Sequence, residues 1–319
     1  MRKIPVVISY VVREDDGLNL VAEFYDSLRK FPPSSRVILV VSVKNANSNF
    51  MKAVIEIFEN KIQNLKVLVE QKPDIGFDIG SHYLVGESYP GHVLIFMSAS
   101  SRFNHPNWLK YLTEPFCQDS VGAVGTMLSL ESIKDSYIEL VDARLKAKLG
   151  FKMSQINTTT CIARGIQIPQ KQINIGRIGD WIENRCLNVV CKVLENRNPL
   201  KYASRFPSFP NPHLRTTGFA VRADLMRIVV DKMPKEKYEA YLYESGYSSI
   251  SRRVALVGFS VLHCDANGKY ENYDEVSSPS TFRVKNFKSI VNDREARNFK
   301  QLPKEVQLAL SRLTFGMRN

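Results

Sequence analysis

Residues 71–126 read QKPDIGFDIGSHYLVGESYPGHVLIFMSASSRFNHPNWLKYLTEPFCQDSVGAVGT. The stretch opens on a glycine-punctuated acidic loop, Pro73-Asp74-Ile75-Gly76-Phe77-Asp78-Ile79-Gly80. Ser81–Ser88 then reads as a short helix. His92–Met97 is an unbroken apolar run of strand type, and it ends in the small polar residues Ser98-Ala99-Ser100-Ser101. Pro106-Asn107-Trp108 and the small apolar run Val121–Gly125 follow.

Working outward, the same alternation continues. Ile4–Val12 is a short apolar strand. Leu18–Phe31 carries Leu20, Val21, Phe24 and Leu28 at helical spacing, and Pro32-Pro33 ends it. Arg36–Val43 is a continuous β-branched run, as expected of a strand buried on both faces. Lys44–Asn49 is a polar loop, Phe50–Ile62 returns to helical spacing, and Leu65–Glu70 is a further strand. Strands alternating with helices predict a doubly wound α/β layer. Ligands bind such sheets at the carboxyl ends of the strands. Tyr10–Arg13, Ser42–Asn45, Asp74–Gly80 and Ser98–Ser101 are therefore expected to converge on one crevice.

Beyond residue 130 the character changes. Glu131–Pro210 is basic and mostly helical, with an irregular middle at Gly165–Gly179. Asp180-Trp-Ile-Glu183 has the form of a capping box, followed by an apolar stripe at Ile182, Cys186, Val190 and Val193. The expected organisation is a ligand-binding half over 1–130, a basic helical insertion or lid over 131–210, and a second half with C-terminal helices over 211–319. In that second half, Phe219–Val221 and Phe259–Cys264 read as strands. Leu225–Asp231, Lys235–Tyr243 and Ser248–Val257 read as helices.

The 319 residues are 44% hydrophobic and 24% charged, an ordinary globular balance. No segment reaches the roughly 20 apolar residues of a membrane span. The start MRKIPVVISYVV imitates a signal peptide but runs directly into Arg13-Glu14-Asp15-Asp16 without a small-residue cleavage site, so a buried first strand is expected. Five cysteines, none at metal-ligand spacing, argue against a disulfide scaffold or a zinc site and fit a reducing cytoplasm. The net charge is +12, and Ala143–Pro210, with twelve Lys/Arg against three Asp/Glu, supplies +9 of it. Such a local excess implies an anionic partner: phosphate groups, a membrane surface or nucleic acid. The absence of an RNP, zinc-finger or helix-turn-helix signature ranks nucleic acid last.

Several residues are candidates on chemistry alone. Gly76 and Gly80 permit close backbone approach to a ligand. Asp74 and Asp78 can accept hydrogen bonds from it, although Asp78 equally fits a helix N-cap. Ser98, Ser100 and Ser101 can bond sugar hydroxyls or phosphate oxygens, or simply form a turn. His213 and Arg215 alternate with Leu214 in Asn211-Pro-His-Leu-Arg-Thr-Thr-Gly218, so both can face one side of a strand. Glu244 lies in Tyr241-Leu-Tyr-Glu-Ser-Gly246, where a helix-end Glu before a glycine is the plain alternative. Asp265 sits in the turn His263–Gly268. Tyr270 lies in a polar-aromatic stretch that suits sugar stacking or, equally, a packed loop. Tyr273, Ser280, Thr281, Phe282 and Arg283 extend the polar-aromatic stretch around Tyr270.

The order of these segments resembles the nucleotide-sugar half of GT-A glycosyltransferases, and within them bacterial polysaccharide-assembly enzymes of the rhamnan-synthesis type. The likeness rests on the Asp-Ile-Gly loop, the Ser-rich strand end, His-Leu-Arg-Thr and Glu-x-Gly. It covers Ile4–Thr126 and, more patchily, Asn211–Phe282. It implies a GT-A-like doubly wound mixed sheet and sugar transfer from a nucleotide-diphosphate donor to a polysaccharide or lipid-linked glycan. It implies donor contacts at Tyr10, Ser42, Asp74, Gly76, Asp78, Ser98, Ser100, Ser101, His213 and Arg215. It also implies acceptor contacts at Trp108, Tyr247 and Tyr270, and a carboxylate base at Glu244 or Asp265. The family's strand end normally carries Asp-x-Asp, which holds Mn²⁺ or Mg²⁺. Here it reads Ser-Ala-Ser, so no metal ligands are assigned, the divalent ion stays an open cofactor, and Arg215 with His213 is the expected stabiliser of the leaving diphosphate. The basic insertion is expected to face anionic lipid at the inner side of the membrane or the acceptor's phosphate. The competing expectation is a degenerate, non-catalytic transferase that binds a glycan or a partner enzyme.

Overall fold

The computed structural model describes residues 4–135, 203–275, 283 and 289–315. The strands are, in chain order, β1 (Val6–Arg13), β2 (Val37–Lys44), β3 (Leu65–Gln71), β4 (Val93–Ser98), β5 (Arg102–Phe103), β6 (Val121–Gly125), β7 (Leu128–Ser129), β8 (His213–Leu214), β9 (Phe219–Arg222), β10 (Ser260–Cys264), β11 (Tyr270–Asn272) and β12 (Val291–Asn292). The helices are α1 (Leu18–Lys30), α2 (Ser48–Phe58), α3 (Phe77–Ser88), α4 (Trp108–Thr113), α5 (Met226–Val229), α6 (Lys237–Ser245), α7 (Ile250–Leu256), α8 (Arg294–Gln301) and α9 (Lys304–Phe315).

Eight strands form one sheet in the order β11-β10-β6-β9-β4-β1-β2-β3. β3, β2, β1 and β4 are mutually parallel, and β10 is parallel to β6. β9 runs antiparallel between β4 and β6, and β11 is antiparallel on the edge. The expected doubly wound mixed α/β sheet is therefore present. Its cause is visible in β1, where alternate residues serve two cores. Val6, Ile8, Tyr10 and Val12 pack with Val21, Phe24 and Leu28 of α1 and Phe50 and Val54 of α2. Val7 faces the opposite layer, with Ile79 and Val85 of α3 and Met226 of α5.

Element boundaries follow local chemistry. Asn47 caps α2 by accepting from the Asn49 and Phe50 N–H groups, both at 2.9 Å, so that helix starts earlier than its apolar spacing alone indicates; it ends at Phe58. α3 begins at Phe77, four residues ahead of expectation, because Gly76 in the left-handed region (φ 71°) already turns the chain. The two ends of the expected insertion meet: the Leu130 carbonyl accepts the Asn211 N–H at 2.9 Å, and Ser132 Oγ donates to the Pro207 carbonyl at 2.7 Å. The expected helix from Asp180, the stretch 165–179 and Ser280–Phe282 lie outside the described residues. Cys117 and Cys264 are both free thiols. Among the described residues no helix is long and apolar enough to cross a membrane.

Candidate functional site

The four parallel strands end at one edge of the sheet, and polar side chains gather there. Lys44, the last residue of β2, is fully buried. Its ammonium donates to the carbonyls of Phe77 (2.6 Å) and Ile75 (3.2 Å) and pairs with Asp74 Oδ1 at 3.0 Å. Arg13, at the end of β1, reaches the same loop. It bonds Asp78 Oδ1 at 2.7 Å and stands 3.6 Å from Asp74. Burial alone raises the Asp74 carboxyl, but Lys44 and Arg13 outweigh it and hold the group below its ordinary range. Burial likewise lowers the Lys44 ammonium, against the opposing pull of Asp74. The acidic loop is thus clamped from beneath by two cations.

The two glycines serve this clamp. A Cβ on Gly80 would run into the Ile75 carbonyl, and one on Gly76 would come within 2.8 Å of Gly80 Cα. Their close approach is to each other, inside the loop, where the sequence suggested approach to a ligand. Asp78 is not the cap of α3, since Gly76 holds that position; it lies in the first turn, where the helix dipole also favours a carboxylate.

At the end of β4, Ser98–Ser101 close a turn. The Ser101 N–H donates to the Ser98 carbonyl at 2.9 Å, and Ser101 Oγ accepts from the Ser98 N–H at 2.8 Å and lies 3.0 Å from Ser98 Oγ. Ser98 Oγ also lies 3.4 Å from Thr217 Oγ1. Ser100 turns toward α8: its Oγ accepts from the Arg294 N–H at 3.4 Å and its carbonyl from the Arg297 guanidinium at 3.0 Å. A divalent cation needs charged oxygens, and this position offers hydroxyls engaged with one another and faced by arginines, so the donor set does not fit one. Among the described residues no group of three or more His, Cys, Asp or Glu side chains is placed to hold a metal.

Across the same edge, Arg215 stands between two carboxylates, Asp293 Oδ2 at 3.3 Å and Glu244 Oε1 at 3.9 Å. Burial opposes the charge of Arg215, but these acids more than offset it and raise its affinity for the proton. Glu244 also accepts from Thr216 Oγ1 at 3.3 Å. It sits near the end of α6, before Gly246, not at a helix start. His213 is buried, its Nδ1 lies 2.8 Å from the Asn211 carbonyl, and burial lowers its pKa. It is a neutral imidazole near neutral pH, so it does not supply the cation expected beside Arg215.

Other expected ligand residues are elsewhere. Tyr10 is wholly buried, stacked on Phe24 with ring centroids 3.9 Å apart and its hydroxyl donating to the Ala99 carbonyl at 3.1 Å. Ser42 is wholly buried in β2. Trp108 is core as well, stacked on Phe103 at 3.9 Å with Nε1 donating to the Phe31 carbonyl at 2.8 Å. Large apolar faces in the inward register fill the layer between sheet and helices, which is why these rings are unavailable to a sugar. Tyr270 packs on α4, its hydroxyl donating to the Tyr111 carbonyl at 3.0 Å. Asp265 closes the β10–β11 turn, accepting the Asn267 and Lys269 N–H groups, each at 2.8 Å. The β10–β11 hairpin is separated from β4 by β6 and β9, so Asp265 stays away from the Ser98 edge. Tyr247 alone of the three aromatics is broadly exposed.

Arg13 and Lys44 lie in strand-end segments expected at the crevice, but sequence reasoning gave them no role of their own, and it did not single out Asp293, Arg294 and Arg297 at all. Lys44 carried a signal, a lysine closing a run of apolar strand residues. Asp293 carried another, an Asp opening a helix.

No family model matches the chain, and no curated protein matches it. Solved structures are similar to parts of it. The mannosyltransferase PcManGT from Pyrobaculum calidifontis, in complex with GDP-Man and Mn2+, gives a TM-score of 0.33 at 15% identity, covering 40% of this chain and 36% of that one. S. aureus TarS 1-349 in complex with UDP-GlcNAc gives 0.30 at 17%, covering 39% and 34%. Mouse xyloside xylosyltransferase 1, apo form, gives 0.37 at 9%, covering 82% and 86%. The chain thus matches little more than a third of the length of the first two. At these scores the likeness adds nothing to the sheet order described above, on which the fold assignment rests.

Proposed function

We propose that this protein is a glycosyltransferase of GT-A type that moves a sugar from a nucleotide-diphosphate donor to a polysaccharide or lipid-linked glycan, without a divalent metal. One observation carries the reading: the carboxyl-end edge of β3-β2-β1-β4 gathers a clamped acidic loop, a hydroxyl-lined strand end and a half-buried Arg–Glu pair. In this reading Asp74–Gly80 receives the nucleoside, and Ser98 and Ser100 meet the sugar or phosphates. Glu244, aimed by Arg215 and Thr216, is the base. The acceptor oxygen bonds the anomeric carbon in a single displacement, and its proton passes to Glu244. The bond from that carbon to the phosphate oxygen breaks, and its electron pair leaves with the nucleoside diphosphate. The +9 charge of 143–210 suits the acceptor's phosphate, or anionic lipid at the inner face of a cytoplasmic membrane, as its partner.

The test is thermal stabilisation of the full chain by UDP, GDP, CMP and dTDP and their sugars, with and without Mn²⁺. Bound donor stabilises the native state by mass action. A shift with one nucleotide class that survives a chelator supports the proposal, and turnover of the same donor that Glu244→Gln abolishes completes it. One observation favours a second reading, a non-catalytic glycan-binding module: Glu244 is already engaged by Arg215. Donor binding without turnover, unaltered by Glu244→Gln, would select that module.

A further inference from the structure

Three arginines meet behind the β4 turn. Arg102, on β5, pairs in register with Asn292 of β12. That pairing brings the chain into α8, whose N-cap is Asp293. Arg297, one turn along, donates to Asn292 Oδ1 and to the Ser100 carbonyl, each at 3.0 Å. Arg294 is exposed and lies within electrostatic reach of Asp16, in the turn after β1, and of Arg297.

Their charges are poorly balanced. Arg102 pairs with Glu23. Among the described residues neither Arg294 nor Arg297 has an ion-pair partner. The nearest buried carboxylate, Asp293, gives one oxygen to the Ala296 N–H at 2.8 Å and the other to Arg215. Burial and then the charge of Arg297 lower Arg102 to about 10. Burial lowers Arg297 too, and Arg294 adds to that despite Asp293. Like charges held half-buried and close repel, and an anion between them relieves that repulsion. Guanidinium forks match phosphate oxygens in bidentate geometry.

Position identifies the anion. The cluster borders Ser98–Ser101, at the edge where α/β sheets bind ligands. It joins the Arg215–Glu244 pair through Asp293, so a bound anion lies next to the proposed base. Arg215 itself is occupied by two carboxylates and is a poor anion site. We infer that Arg294 and Arg297, backed by the Glu23-paired Arg102, form an anion site at the carboxyl end of β4, built for the diphosphate of the donor and supplying the charge that a divalent cation would bring. The choice of a diphosphate rests on the proposed transferase function; the anion site stands on its own geometry.

The experiment is calorimetric titration of the full chain in EDTA with UDP, GDP, the matching nucleosides and inorganic pyrophosphate. Compared with wild type are Arg294→Gln, Arg297→Lys, the double Arg294→Gln/Arg297→Lys, and Arg36→Gln as a control. Arg36 is an exposed arginine next to the start of β2, at the opposite edge of the sheet. Arg294 is exposed, so its substitution does not threaten folding, and Arg297→Lys keeps a donor for the Ser100 carbonyl. Expected is metal-free binding of one nucleoside diphosphate and of pyrophosphate, each weakened about 10-fold or more by either variant and about 100-fold by the double, consistent with charged hydrogen bonds. Arg36→Gln is expected to bind as wild type does, and nucleoside binding is expected to be untouched by all variants. Diphosphate binding that is equal in wild type and the double variant overturns the inference and leaves the transferase reading standing. Pyrophosphate binding lost in the variants, with no nucleotide bound by any form, upholds the anion site and overturns that reading. Binding of neither overturns both.

Discussion

The Lys44 ammonium lies 2.6 Å from the carbonyl oxygen of Phe77, a residue whose φ of 52° is rare outside glycine. The same ammonium takes the Ile75 carbonyl and Asp74, so one buried cation holds three points of the loop. Lys44→Met keeps the length of the side chain and removes those three bonds. It is expected to lower unfolding free energy by roughly 1–3 kcal/mol, the cost of orphaning buried polar groups. Urea denaturation measures it. Unchanged or increased stability would mean that the cation is a burden the apolar residue relieves, as happens at some buried ion pairs.

Gly80→Ala should be disproportionately costly for so small a change. The added methyl meets the Ile75 carbonyl, which Lys44 already holds in place. Destabilisation of roughly 2 kcal/mol or more is expected, in the range that backbone clashes reach. A melting temperature equal to wild type would show that the loop has another conformation open to it.

Two buried histidines give the protein a specific acid weakness. His82 lies 2.9 Å from Ser9 Oγ and is stacked on Phe96, and burial lowers it to about 4. His263 is lowered to about 4, again by burial. Both folded values lie below the ordinary 6.5, so the unfolded chain binds more protons in between. Stability is full above pH 6.5 and falls as pH drops toward 4, by roughly 3 kcal/mol at most for each group. Denaturation at a series of pH values checks this. His82→Gln, which keeps a partner for Ser9, should flatten the slope in that window. Asp74, held below its ordinary value, adds a second loss only further down, through the carboxylate range.

Glu244→Gln preserves volume and hydrogen bonding to Thr216 and removes the base. With a cognate donor, kcat is expected to fall about 10²- to 10⁴-fold, the usual contribution of a positioned base, while donor affinity stays within a few-fold. Equal losses in kcat and in affinity would point to Glu244 as a binding group that aims Arg215.

Tyr10→Phe is expected to cost about 1 kcal/mol, the hydrogen bond to Ala99, and to leave nucleotide affinity unchanged. Weaker nucleotide binding with unchanged stability would return Tyr10 to the ligand side.

The alternating layer was legible because its signals are local. Val37–Lys44 is a run of branched residues that only a doubly covered strand buries, and Leu18–Lys30 shows its stripe at helical spacing. Gly76, Asp78 and the Ser98–Ser101 turn were legible as a polar strand-end set for the same reason. The misreadings share one cause. Tyr10 and Ser42 lie near strand ends and Trp108 opens α4, positions where sequence cannot tell a side chain facing solvent from one facing the core. Pairing register decides that, and register depends on neighbours far away in the chain.

The amino-acid sequence by itself determined the strand-helix alternation, the edge of the sheet on which polar residues collect, and the glycines that shape the acidic loop. Periodicity, branching and backbone freedom act within a few residues, so they are written locally. Only the tertiary structure decided which polar partners meet: Arg13 and Lys44 under Asp74, Arg215 between Glu244 and Asp293, and Arg297 on the Ser100 carbonyl. Ion pairs form between residues as far apart as Glu131 and Arg283, and Arg297 bonds the Ser100 carbonyl across 197 positions; no local pattern encodes which partner a given arginine will find.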